Sequence, residues 1–204
     1  VLSHLKSQAN PENVAGMARF GISAHNTLGV SVPVLRALAK KIGRDHDLAG
    51  QLWASGIHEA RILASMVDNP RLVTEEQLER WVADFDSWDV CDQCCMNLLE
   101  KLPNAYSKAI EWTEREEEFV KRAGFALMAC LAWHDKQATD AQLIAFFPTI
   151  QRGSTDGRNF VKKAVNWALR NIGKRNRNLN QEAIEIAGEI AKIDSKAARW
   201  VASN

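Results

Sequence analysis

Trp88 and Asp92 stand four residues apart, which places them on one face of a helix that opens after Asp86-Ser87, a pair suited to a helix N-terminus. An indole beside a carboxylate suits a flat or cationic species, because the ring offers its π face and the acid its charge. The plainer reading of these residues is a core tryptophan followed by two acids, Asp89 and Asp92, that the helix dipole favours in a first turn. Cys91 and Cys94 have the two-residue gap of a zinc or redox pair, but no second such pair and no paired histidines complete four ligands. On a helix Cys91, Cys94, Cys95 and Leu98 fall on one apolar side, so reduced, small core residues are expected. His4, His25, His46, His58 and His134 never pair at three or four residues, and neither a metal nor a cofactor is expected. His58 with Glu59 at a helix start could do acid–base chemistry, with capping or packing as the simpler role. Gly153 to Gly157 fits neither the dinucleotide nor the nucleotide phosphate-binding spacing. Ser154, Thr155 and Asp156 could still cap the next helix and leave its first N–H groups facing a phosphate.

The elements that must position these residues are helical. Val32, Leu35, Leu38, Ala39 and Ile42 recur at spacings of three and four, with Pro33 near the start and Gly43 at the end. The same pattern predicts helices over Glu12 to Phe20, His46 to Ala54, His58 to Val67, Glu75 to Asp84, Trp88 to Leu102 and Ala105 to Trp112. It continues over Glu117 to Trp133, Ala141 to Phe147, Arg158 to Ile172, Gln181 to Ile193 and a last short helix. Alternating strand-like runs are absent. The segment from Phe119 to Leu127 resembles that from Phe160 to Leu169, with Val120 matching Val161, and His58 to Ala64 is a weaker third copy. A period near 40 residues is that of stacked helix pairs. The expected fold is therefore all-α, an α-α superhelix (solenoid) of HEAT-like repeats, forming a single domain over residues 1–204. Each copy opens with cations (Arg61; Lys121 and Arg122; Lys162 and Lys163), which stacking could align along one concave face, although helix starts are also ordinary places for solvated charges.

The 204 residues carry a net charge of +1, but the total conceals its distribution. From Arg152 to Asn178 eight basic residues face a single acid, Asp156, whereas Glu111 to Glu118 holds five Glu and one Arg. Such division points to a polyanionic partner at the basic end. The longest apolar stretch, Phe125 to Trp133, is far short of the ~18–20 residues that span a bilayer, so no membrane association is expected. Four cysteines without a disulfide framework predict a reducing, cytoplasmic setting.

Five blocks in order, Gly29 to Pro33, His58 to Ala64, Ser87 to Asp92, Val120 to Ala123 and Arg158 to Arg170, together resemble the AlkD-like family of bacterial DNA alkylation repair proteins. The resemblance implies HEAT-like repeats curving around duplex DNA, and an activity that removes purines alkylated at N3 or N7. By motif it places the site on Trp88, Asp92, Arg122 and Trp167, with Arg61, Lys121, Arg158, Lys162, Lys163, Arg170, Lys174 and Arg175 as DNA contacts. An alkylated purine is already cationic and needs no general acid to leave. The oxocarbenium-like sugar that develops needs one carboxylate, for which Asp92 is the candidate. The implied partner is duplex DNA containing alkylated bases, bound by a monomer without a cofactor. Two other readings stay open: a non-catalytic scaffold that binds bent or branched nucleic acid by charge and shape, and a HEAT-type protein-interaction scaffold using the acidic segment.

Overall fold

In the computed structural model, which describes residues 1–204, 70% of residues are helical and none lies in a strand, as the periodicity predicts. The helices are α1 (Leu2–Ser7), α2 (Pro11–Ala18), α3 (Val32–Ile42), α4 (His46–Ala54), α5 (His58–Val67), α6 (Glu75–Ala83) and α7 (Trp88–Asn97). They continue with α8 (Ala105–Glu111), α9 (Glu118–His134), α10 (Asp140–Ile144), α11 (Phe147–Gly153), α12 (Asn159–Gly173), α13 (Arg177–Ala191) and α14 (Lys196–Ser203). Two departures from the expected elements have local causes. The helix expected over Ala141 to Phe147 ends at Ile144, and Phe147 instead opens α11, whose first turn takes Pro148 where a missing N–H costs nothing. Helix α7 stops at Asn97 rather than Leu102, because Leu98 leaves the helical region at φ −127°, ψ −57° and only a 3-10 turn follows.

The chain divides into two compact units, Val1–Leu102 and Pro103–Asn204. In the first, α5 is the central element: it packs against α3, α4 and α7, and eight of its ten residues are buried. Trp53 of α4 stacks flat on Trp81 of α6 with ring centroids 4.1 Å apart. At roughly 150–250 Å² and 25 cal/mol/Å², each such indole contributes about 4–6 kcal/mol of transfer free energy before ordering costs. The segment before α3 is held by a single acid. Glu59, 1% exposed, accepts the backbone N–H groups of Leu28 (2.8 Å), Gly29 (2.6 Å) and Val30 (3.2 Å). Gly29 can sit there because its φ is +78°, and a Cβ would lie 2.2 Å from the Asn10 carbonyl oxygen.

In the second unit α9 is the central element, with twelve of seventeen residues buried, and α12 packs along it. The approach of α8 and the 3-10 turn after it, Trp112–Glu114, requires Gly124, where a Cβ would meet Ala109 O at 2.7 Å. The internal repeat is visible as contact: Phe119 and Phe160 occupy equivalent positions in α9 and α12, and their rings meet at 5.5 Å. Val120 and Val161, the next matched pair, are both buried. Asn171 ties the two helices by donating to Ala129 O at 3.1 Å. Helices α11, α13 and α14 cover the rest of α12. The fold is thus the expected all-α solenoid of stacked HEAT-like helices. No helix is long and apolar enough to cross a membrane.

Candidate functional site

The head of α7 brings Trp88 and Asp92 to one side of the first unit. Ser87 occupies the N-cap, yet its hydroxyl makes no capping bond and is buried without a partner, which corrects the capping expected of Asp86-Ser87. Trp88 is half-buried, and its Nε1–H donates to Phe20 O at 3.1 Å, pinning the ring edge. Asp92, one turn later, is only 8% exposed. Beside them His58 Nε2 meets Asp89 Oδ2 at 2.8 Å, so His58 serves as a buried partner of α7 rather than as a cap. Arg61 bonds the Asp84 carbonyl (3.0 Å), reaches Asp86 (3.4 Å) and lies over the Trp53 ring. Arg61 Nε, Ser87 Oγ and Asp89 Oδ1 are buried polar atoms without a hydrogen bond in the protein; Ser87 and Asp89 flank Trp88 in sequence, and Arg61 reaches Asp86 just before them. Buried polar atoms are nearly always paired, which makes the start of α7 a candidate site.

The His58–Asp89 pair has a pH signature. Burial alone would lower the imidazole pKa, but the Asp89 hydrogen bond and the charges of Asp89, Glu59 and Asp86 outweigh it and raise the value above 6.5. A raised folded-state value means the pair stabilises the fold fully below about pH 6.5 and loses that contribution as pH rises through the folded value. The difference in Tm between the protein and its His58→Gln variant, followed by calorimetry, should therefore shrink as pH rises above about 6.5. A difference independent of pH would contradict the ion pair.

The second unit holds the other candidates. Arg122 is 5% exposed, and its guanidinium donates to Phe160 O at 2.6 Å, so it works from within the α9–α12 pair. Lys121 beside it is half-buried. Arg158 is committed to Asp156 through Nε (3.0 Å) and Nη2 (2.6 Å) and to Glu116 O (2.6 Å). The expected cap of α12 by Ser154, Thr155 or Asp156 is not formed: Ser154 bonds Gln151 O, Thr155 bonds Arg152 O, and Asp156 accepts from Arg158. Lys162 lies over the Trp200 ring at 4.7 Å, and Arg175 donates to the Ala132 and Asp135 carbonyls. Lys163, Arg170 and Lys174 are exposed. Trp167 is half-buried and lines a cavity with Trp133, Arg170 and Lys174. Sequence reasoning missed Trp133, which ends an apolar run and carries no signal that it faces outward. The four cysteines are free and buried, and burial pushes the Cys94 thiol well above its usual value, in keeping with the core role expected.

Known proteins share this fold. The uncharacterised protein Lin0241 of Listeria innocua is 23% identical over 195 residues, covering 94% of this chain and 85% of its own. Lmo0209 of Listeria monocytogenes is 21% identical over 198 residues, with the same coverage. A solved protein from a new family related to the HEAT-like repeat DNA glycosylases, with affinity for branched DNA structures, superposes with a TM-score of 0.81. It shares 20% identity and is covered over 91% of its chain and 99% of this one. A predicted DNA alkylation repair enzyme from Enterococcus faecalis gives a TM-score of 0.70 at 19% identity, covering 97% of this chain and 96% of its own. The model of the family described as DNA alkylation repair enzyme matches residues 1–200, and the chain belongs to that family.

Proposed function

We propose that this protein is a monofunctional DNA glycosylase that removes N3- and N7-alkylated purines from duplex DNA, with Asp92 as the catalytic carboxylate. The observation that supports the reading is Asp92 itself: a largely buried acid one helical turn from Trp88, on the helix at whose start the Ser87 and Asp89 oxygens lie buried without a partner, in a chain of the DNA alkylation repair family. The alkylated purine leaves with the electron pair of its glycosidic bond and becomes neutral. The carboxylate stabilises the oxocarbenium-like sugar, water adds its oxygen to C1′, and the released proton passes to Asp92 and then to solvent. A poorly solvated carboxylate suits this role, because charge–charge stabilisation strengthens as water is excluded. In the first unit Trp88 presents its π face to the deformed strand; in the second Trp167 lines a cavity with Arg170 and Lys174, which with the exposed Lys163 contact DNA phosphates. Arg122, bound to the Phe160 carbonyl, holds the α9–α12 pair that carries Trp167.

A second reading, binding of branched DNA without base release, is favoured by the superposition on a protein with affinity for such structures. One experiment separates them. The protein is incubated with duplex DNA containing 7-methylguanine while free base and complex are both measured. Release of the base supports the glycosylase; tight binding, strongest for a branched substrate and without release, supports the second reading.

A further inference from the structure

Beside Trp167 lies a cavity of about 640 Å³ formed entirely within the second unit, by the end of α9, the turn after it and the last turns of α12. Its chemistry is one-sided: Lys136, Arg170, Lys174 and Arg175 line it, and no carboxylate does. A concave surface with cations alone concentrates anions. It also holds two indoles, Trp167 and Trp133, of which Trp133 is 55% exposed and is kept in place by stacking on His134, centroids 4.7 Å apart. The walls are fixed before any ligand arrives. Arg175 is tied to the Ala132 and Asp135 carbonyls, Lys136 to the Trp133 carbonyl, and Asn171 to Ala129 O. Exposing an indole to water is unfavourable, and neighbouring cations make it a poor seat for an apolar protein segment.

Phosphates of a duplex need only the cations. The bases of a duplex stack on one another and cannot present their faces to a side chain, so aromatic walls serve nucleotides that are unpaired. The volume lies within the roughly 300–1,000 Å³ of pockets for small molecules and admits a nucleotide. We infer that the cavity between Trp133 and Trp167 takes an unpaired nucleotide from a single-stranded arm of DNA, its base on the indole of Trp133 and its phosphates on Arg170 and Lys174. The site would let the protein prefer DNA with a flap or branch over a continuous duplex. This inference rests on the DNA-binding reading above but not on base excision.

Three labelled probes test it by fluorescence anisotropy: a blunt duplex, the same duplex with a single-stranded oligothymidylate arm, and the same with an arm of abasic residues carrying equal charge. The protein should bind the thymidylate arm more tightly than the abasic arm by roughly five- to a hundredfold, the range of one base–aromatic stack. Trp133→Ala should erase that preference and Trp133→Phe retain part of it; the side chain is mostly exposed, so both variants should fold. Equal affinity for the two arms, or a preference that survives Trp133→Ala, overturns the inference while leaving duplex recognition intact. Failure to bind any of the three probes overturns the DNA-binding reading, and this inference with it.

Discussion

Asp92→Asn should lower the single-turnover rate of 7-methylguanine release by at least ~100-fold, the scale of removing one preorganised charge from a transition state. The measurement uses protein in excess over DNA, so that weaker binding cannot pass for slower chemistry. The reasoning is electrostatic. In the ground state the positive charge sits on the alkylated purine; at the transition state it has moved to the sugar, and only a fixed negative charge near C1′ gains from that move. Asparagine keeps the size and one hydrogen-bonding oxygen but not the charge. Duplex affinity should change much less than the rate, because the exposed cations proposed to contact phosphates, Lys163, Arg170 and Lys174, are untouched. Asp92 is buried, so calorimetry must accompany the kinetics. A variant that folds, binds and still releases base at the original rate would remove Asp92 from the mechanism.

What the sequence made legible follows the range of the interactions. Periodicity sets helices through neighbours three and four residues apart, and α3, α4 and α5 begin and end where the pattern places them. The repeat is equally local in register, and the contact of Phe119 with Phe160 follows from it. The site is a different matter. His58 with Asp89, Arg61 with the Asp84 carbonyl, and Glu59 with Leu28 to Val30 join residues 23 to 31 apart in the chain, and only folding brings them together. Charge was legible as composition but not as availability. Arg61, Arg158 and Arg175 read as DNA contacts in the sequence, and the structure adds what the sequence does not show, that their guanidinium groups also bond carboxylates and carbonyls of the fold itself. Trp133 shows the converse: hydropathy reads it as the end of a core run, and its exposure depends on where α9 ends.

Glu59→Ala should destabilise the protein by about 3–5 kcal/mol. Three backbone N–H groups, of Leu28, Gly29 and Val30, share its two carboxylate oxygens. Alanine would leave all three without an acceptor, at about 1–3 kcal/mol for each that water cannot reach. The total stays below their sum because the segment before α3 can open to solvent. Glu59→Gln divides the effect further. Its amide oxygen can still serve Gly29 and Val30, as Oε1 does now, but its NH2 then faces the Leu28 N–H, donor against donor. A loss of about 2 kcal/mol is expected for it, between the wild type and alanine. Denaturant unfolding of the three proteins would show this order; equal stability of Glu59→Gln and wild type would mean that one oxygen suffices. The test also bears on the site. Glu59 precedes Ala60 and Arg61 on α5, which packs on α7, and the Phe20 carbonyl that pins Trp88 lies eight residues before Leu28 in the segment Glu59 holds. Loosening that segment should free the indole, so that the Trp88 fluorine resonance of protein labelled with 5-fluorotryptophan, assigned by its loss in Trp88→Phe, should report greater mobility in Glu59→Ala before global unfolding begins.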